Sequence, residues 1–305
     1  MKILAIIVTY NRLAKLKDTL NRVLSESIDS VLVVDSGSTD NTQLFLRALS
    51  DSRVQVLRTL NKGGSNGFYE GAKYACSCID FDWALFFDDD SYPEEGTLDN
   101  FRNLDLTSVS LISSKVFKPS KDLHKMNIPL FIYPNSLRKV FQYIIGKSKF
   151  TPSIFQSGNI KVEAASFVGL FVKKEILELN YNLIPKSLFV YFDDIYFTYS
   201  LNKLENSSYY NNSLVFIHDS PSGDISDWKL YLLLRNQFIQ KDFFKSKFSF
   251  YIFISIKYLY YLIKVKHISK LRLLKIIKLS IKDGNTKLYF DESKSNLDWI
   301  RRRIL

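Results

Sequence analysis

The 305-residue chain predicts an open, doubly wound α/β sheet followed by a basic helical extension, and three observations predict it. Apolar runs of strand length alternate with segments of helical spacing up to residue 90. The apolar runs are continuous rather than alternating, as in strands covered on both faces. Charge is unevenly spread: residues 1–240 hold 26 basic and 26 acidic side chains and residues 241–305 hold 16 and 5, so the whole net charge of +11 lies in the last 65 residues.

The elements follow in order. Residues 3–8 (ILAIIV) and 31–34 (VLVV) form strands one and two, with Leu13, Leu16, Leu20 and Val23 at helical spacing between them. Ser38, Thr39 and Asp40 offer caps for a second helix through Leu44, Leu46 and Leu49. Residues 54–57 (VQVL) give strand three, a Gly-bearing loop spans 61–67, a third helix runs through Tyr74 to Cys78, and residues 83–87 (WALFF) give strand four. This β-α-β-α-β-α-β order is Rossmann-like. Beyond residue 107 the pattern loosens into strand-like runs at 109–117, 167–172, 188–192 and 214–218, which make the sheet mixed. Residues 118–160 read as a long, partly structured excursion over the site. Helical spacing returns at 226–244. Residues 1–220 thus form the expected ligand-binding domain and 221–305 a helical, basic region.

Composition excludes several classes. With 46% hydrophobic and 24% charged residues the chain is neither disordered nor of low complexity. Cys76 and Cys78 are too few and too close in sequence to staple a secreted fold, which points to a reducing, cytoplasmic setting. The opening MKILAIIVTYNR carries an apolar run shorter than a signal peptide needs and reads as a buried strand.

In a doubly wound sheet, ligands bind beyond the carboxyl ends of the strands. The segments that should share this rim are Thr9-Tyr10-Asn11-Arg12, Asp35-Ser36-Gly37-Ser38, Asn61-Lys62-Gly63-Gly64 and Asp88-Asp89-Asp90. Three adjacent carboxylates repel one another, and a divalent cation such as Mg2+ or Mn2+ relieves that cost. Alternation turns Asp88 and Asp90 the same way and Asp89 the other way. A solvated acidic turn is the competing reading. Asn66, Gly67 and Gly71 extend the bare backbone past Gly64, where amides at a helix start can approach phosphate. The segment matches neither GxxxxGK[ST] nor GxGxxG, so Walker ATPases and dinucleotide binders lose their fingerprints. Asp35 can accept from a base or ribose, or cap the turn after it. Asp193-Asp194 stand where an apolar run breaks into a helix, as a general base, a helix cap, or one of each. His218 ends an apolar run and is the histidine of the three (with His124 and His267) placed to join a metal site. Arg235-Asn236 offer phosphate contact or plain helix surface.

In these motifs and their order, over roughly residues 3–236, the chain resembles a family 2 glycosyltransferase of the nucleotide-diphospho-sugar, A-type fold. The motifs are VTYNR, VLVVDSGSTDNT, NKGGSNGFYEGAKYA, ALFFDDDSYPEEGTL, LFVYFDDIYFTYSL, IHDS and YLLLRN. Within that family NKGGSNGFYEG with a full Asp triplet most resembles the bacterial galactofuranosyl and rhamnosyl transferase branch. Asn66 stands where that branch's second Gly pair begins, and Tyr196 where a Glu is usual. The resemblance implies that Thr9 to Arg12 and Asp35 hold the nucleotide of a UDP- or dTDP-sugar, and that Asn61 to Gly64, Asp89 and Arg235 contact the donor. It further implies that Asp88, Asp90 and His218 bind Mn2+ or Mg2+, and that Asp194 is the base, with Asp193 orienting it or the acceptor. The implied reaction inverts the anomeric centre, most readily with UDP-galactofuranose, otherwise with dTDP-rhamnose or a UDP-hexopyranose. The acceptor is a hydroxyl of a cell-surface glycan or lipid-linked oligosaccharide.

Residues 248–266 are interrupted by Lys257 and too short of clean apolar length to span a bilayer. They are expected to lie on the inner face of the membrane, with Lys257, Lys264, Lys266, Lys270, Arg272, Lys275 and Lys278 toward headgroups. Helices packed on the body, or a homodimer contact, are the other readings of this tail. A nucleic-acid binder is disfavoured because the basic residues avoid the rim. An inactive nucleotide-sugar binder is disfavoured because every carboxylate the chemistry needs is present.

Overall fold

The computed structural model describes residues 1–151, 158–205, 207–220, 223–294 and 296–305. Part of the expected excursion, residues 152–157, lies outside the described residues. The first half is β1 (Ile3–Thr9), α1 (Leu13–Ser25), β2 (Ser30–Asp35), α2 (Thr42–Ala48), β3 (Val54–Arg58), α3 (Gly64–Cys78) and β4 (Trp83–Asp88), in the expected order. Then come β5 (Ser91–Pro93), α4 (Thr97–Arg102), β6 (Leu111–Phe117), α5 (Leu137–Ile145), β7 (Ile160–Lys161), β8 (Leu170–Lys173), α6 (Lys174–Asn180), α7 (Asp193–Glu205) and β9 (Ser208–His218). Helices α8 (Asp227–Arg235), α9 (Lys247–Lys264), α10 (Lys270–Asn285) and α11 (Leu297–Ile304) close the chain.

The sheet runs β3-β2-β1-β4-β8-β6-β9-β5, with β7 on β9. Strands β1 to β4 are mutually parallel, β8 is antiparallel to both β4 and β6, and β6 is parallel to β9. Strand order reverses between β1 and β4, which opens the crevice where ligands bind in such sheets. The sheet buries both faces: Ile3, Ala5 and Ile7 pack under α1, while Leu4, Ile6 and Val8 pack under α3. That is why the first strand reads as an uninterrupted apolar run.

Glycines set how closely α3 approaches. A Cβ at Gly67 would meet Val8 Cγ1 at 2.5 Å, and one at Gly71 would meet Ile6 and Val34 methyls at 2.8 Å. These two residues, expected beside the ligand, instead let the helix settle onto the sheet. The helix also begins at Gly64, earlier than the spacing around Tyr74 predicted.

The run at 188–192, expected as a strand, is a turn. Phe189, Tyr191 and Phe192 have φ of 74°, 73° and 69°, a left-handed backbone costly for side chains of this size. Asn236 holds the turn: its Nδ2 donates toward the carbonyls of Leu188 (3.0 Å), Val190 (2.8 Å) and Tyr191 (3.2 Å). The helix expected over 226–244 is α-helical only to Arg235 and continues as a 3₁₀ segment from Asn236 to Phe243.

The C-terminal helices share a third core with Tyr133, Val140, Leu188 and Tyr199. Asp283 of α10, buried, accepts from Tyr231 Oη (2.7 Å) and Arg303 Nε (2.9 Å), tying α8 and α11 to it. Among the described residues, no helix is long and apolar enough to cross a membrane.

Candidate active site

At the crevice, β4 delivers three carboxylates whose surroundings differ. Burial, then the charges of Asp90, Asp89 and Asp193, drives Asp88 well above the usual carboxylate range. Burial raises Asp89 to about 6 against the pull of Arg12 and the Thr9 hydroxyl. Burial acts upward on Asp90 too, but His218 and Arg12 outweigh it and hold this acid below its usual range.

The contacts explain the split. Thr9 Oγ1 donates to Asp89 Oδ2 at 2.7 Å. Arg12 Nη1 donates to Asp89 Oδ1 at 3.0 Å and Asp90 Oδ2 at 2.7 Å. Arg12, with its side chain 37% exposed at the rim, therefore offsets part of the triplet's charge through Asp89 and Asp90, a role the sequence did not disclose. His218 Nε2 lies 3.3 Å from Asp90 Oδ1.

One ligand atom each from Asp88, Asp90 and His218 can be chosen so that all lie within 4.8 Å of one another. An octahedral ion with bonds of about 2.0–2.1 Å places its donors about 3 to 4 Å apart, so a small closure of the cluster completes a tridentate site. Two carboxylates and an imidazole suit Mn2+ better than Mg2+, which favours oxygen alone. The residues present fit a divalent ion.

Two backbone contacts bring His218 to a triplet far away in sequence. Strand β5 starts immediately after Asp90 and pairs antiparallel with β9 so that Ser91 faces His218. The Asp219 amide donates to Asp90 O at 2.8 Å. Asn127, which sequence reasoning missed, supports the imidazole: its Oδ1 is 2.9 Å from His218 Nδ1, and its Nδ2 donates to Ser166 Oγ at 3.0 Å. With Nδ1–H donated to Asn127, Nε2, which faces Asp90 Oδ1, is the nitrogen that would give up its proton and present a lone pair when a cation binds. His124 stacks on the same ring at 4.4 Å, and burial first, then His218 and Lys118, lowers its own pKa to about 4.

The second acidic pair opens α7. Burial, then the charge of Asp194, raises Asp193 to about 7, while the helix-start amides and the Ser65 hydroxyl pull it back. Burial raises Asp194 to about 6 against the Ile195 amide, which donates to its Oδ1 at 2.7 Å. Asp193 lies close enough to Asp88 to contribute to its upward shift, so the two acidic groups are neighbours.

Other rim residues divide. Gly64 has nothing within 4 Å of where its Cβ would stand, so its backbone faces open space. A Cβ on Gly63, at φ 87°, would meet Phe189 O at 2.1 Å, so this glycine backs onto the strained turn. Asn61 Oδ1 accepts from the Gly63 amide at 3.2 Å, and Lys62 lies 3.7 Å from Glu292. Asp35 caps its turn, accepting from the Ser38 amide at 2.8 Å. Tyr10 is exposed, while Asn11 Oδ1 accepts from the Thr39 and Asp40 amides and stitches two rim loops together.

Arg235 requires correction. Expected at the donor or on a helix surface, it is 1% exposed, donating from Nη2 to Leu188 O at 3.2 Å and from Nε to Asn236 Oδ1 at 2.8 Å. Helix α8 is buried on most of its sides, so this arginine braces the 188–192 turn from behind. Lys257, expected toward headgroups, is half-buried against the protein, its Nζ 5.3 Å from the Phe253 ring centre and 5.6 Å from that of Tyr143.

Comparison with known proteins adds two findings. The family model described as "Glycosyl transferase family 2" matches residues 4–161. A search of curated protein sequences finds no match. Among solved structures, S. aureus TarS 1-349 superimposes with a TM-score of 0.58 at 15% identity, covering 100% of this chain and 89% of that one. The same TarS fragment in complex with UDP gives the same figures. A second TarS structure gives 0.61 at 14% identity, covering 100% of this chain and 55% of that one. At these identities the likeness shows the shared fold.

Proposed function

The chain belongs to glycosyl transferase family 2, and from that premise we propose that it moves a sugar from a UDP-sugar onto a hydroxyl of a growing glycan or lipid-linked oligosaccharide, with inversion at the anomeric carbon. The observation that carries this reading is the Asp88-Asp90-His218 cluster with the Asp193-Asp194 pair as its neighbour. The TarS fold match in complex with UDP supports UDP as the nucleotide to test. The NKGGSNG loop supports UDP-galactofuranose as the first donor.

A divalent ion held by Asp88, Asp90 and His218 would supply positive charge for the departing diphosphate. The chain's own residues do the rest. Arg12 and Thr9 fix Asp89 beside the donor, and the open backbone at Gly64 admits the diphosphate closely. Asp194 takes the acceptor's hydroxyl proton at a carboxylate oxygen, and Asp193 orients it. An acid raised to about 6 is well matched to general base work near neutrality. The exposed Leu259, Ile263, Leu271 and Leu274 among the lysines of α9 and α10 support docking of the protein on an anionic membrane face.

The deciding experiment is Asp194→Asn assayed with UDP-galactofuranose, other UDP-sugars and Mn2+. Turnover should fall about 10²- to 10⁴-fold while UDP binding with Mn2+ is unchanged. A variant that keeps a tenth of the activity removes Asp194 from this role.

A further inference from the structure

A hollow beside the start of α7 belongs to neither acidic cluster. It has about 640 Å³ of empty space, counting the part open to solvent, and Phe192 and Ile195, which flank the Asp193-Asp194 pair in the chain, form part of its wall. Its lining has an unusual polarity. Lys125, Lys147 and Lys257 all reach it, and no aspartate or glutamate does.

Lys257 is the informative member. It lies against two aromatic rings, and among the described residues no carboxylate pairs with it, nor with Lys125 or Lys147. The residues outside the description contain no aspartate or glutamate that could do so. Burial, then Lys147, lowers its pKa to about 8, as expected of a partly buried cation without a counter-ion. A second observation is independent of the lysines. Gln240, 3% exposed and part of the same lining, accepts from the Tyr133 hydroxyl on Oε1, while its Nε2 has no partner. An unpaired buried donor is costly unless something supplies an acceptor. Three lysines and a buried glutamine thus line a space walled by Phe192, Ile195 and Phe253, where an oxyanion on an apolar body would find cationic partners.

We propose that this hollow seats a phosphate group of the acceptor, held by Lys257, Lys147, Lys125 and Gln240 with the acceptor's hydroxyl toward Asp194. The assignment rests on the transferase reading above and narrows it to acceptors that carry phosphate. A lipid-linked phosphate and a soluble phosphodiester share this chemistry.

The test uses the full chain and titrates dodecyl phosphate, glycerol 1-phosphate and neutral dodecyl maltoside by calorimetry, below micelle-forming concentrations. UDP with Mn2+ is titrated in parallel. Dodecyl phosphate should bind and dodecyl maltoside should not. Lys257→Met should weaken phosphate binding at least tenfold, and Lys147→Met, on the surface, about threefold. Both variants should bind UDP as the parent does. Lys257→Met should also raise the melting temperature, because it removes an uncompensated cation, so weaker binding would not reflect misfolding. Tighter binding of dodecyl phosphate than of glycerol 1-phosphate assigns a lipid-linked acceptor; equal binding, lost in Lys257→Met, assigns a soluble one. Phosphate binding unchanged in Lys257→Met, or maltoside bound as well as phosphate, overturns the proposal. If the parent fails to bind UDP with Mn2+, the transferase reading falls, while the phosphate titration still decides the hollow.

Discussion

Replacing Asn236 by leucine should damage the active site from a distance. The side chain is fully buried, and leucine keeps its branched shape at a larger volume while removing every hydrogen-bonding atom, so the perturbation is chiefly chemical. Its two amide protons are shared among the carbonyls of Leu188, Val190 and Tyr191, and its Oδ1 accepts from Arg235 Nε. Leu188 O retains the Arg235 Nη2 donor, so the change leaves two carbonyls without this partner and strips a buried guanidinium of an acceptor. A fully buried group left unsatisfied costs about 1–3 kcal/mol, more where charge is involved, and because Val190 and Tyr191 are half-buried the three losses together fall at the low end of their sum, about 3–5 kcal/mol. Three left-handed, non-glycine residues strain the turn by on the order of 1–3 kcal/mol each, and loosening the tether lets that strain relax. Asp193 follows directly, so kcat should fall beyond the loss of stability, while UDP and Mn2+ still bind. Urea unfolding followed by tryptophan fluorescence measures the first effect, and kcat under conditions where the variant is fully folded measures the second. A variant within 1 kcal/mol of the parent, or with unchanged kcat, would refute the argument.

Other outcomes follow from the same geometry. Asn127→Leu removes the acceptor that fixes the His218 tautomer, and Mn2+ affinity read by electron paramagnetic resonance on the folded protein should weaken about 10- to 100-fold, alongside a stability loss of about 1–3 kcal/mol from the groups left unpaired. For Asp193, burial holds the folded pKa near 7, above the unfolded value, so the folded chain keeps a proton that the unfolded chain releases above about pH 4. That stabilisation is lost as pH rises through 7, and Asp193→Asn should therefore gain stability relative to the parent at pH 8 but not at pH 4, measured by melting in EDTA. Gly63→Ala should destabilise strongly, since its Cβ would strike the Phe189 carbonyl at a positive φ, whereas Gly64→Ala should leave melting unchanged and, if the diphosphate passes there, weaken UDP binding. Comparable melting temperatures for the two glycine variants would contradict the assigned packing.

The first four strands and their rim were legible because a doubly covered sheet writes itself as unbroken apolar runs ending in polar residues, and Asp88 to Asp90 follow such a run. Residues 188–192 defeated the same rule. LFVYF has strand composition, but its conformation is dictated by Asn236 and Arg235, more than 40 residues away, and no local signal reports a tertiary tether. Arg235 misled for a related reason: a charged residue in a helix is ordinarily exposed, and only the depth of α8 in the third core reverses this. Asn127 sits in an aperiodic stretch without any pattern to mark it. Lys257 interrupts an apolar helix, which was the available hint that it answers to something other than water.

The pairing of Ser91 with His218 carries a consequence for how the protein can vary. The proposed metal-holding residues, separated by more than a hundred positions, are aligned by a main-chain ladder, so surface loops between the intervening strands, other than the one that carries Asn127, can change length without shifting that register. Slippage by a single position would be different in kind: it would invert His218 to the opposite side of the sheet. Diversification of what the enzyme accepts is thereby uncoupled from the geometry that its chemistry requires.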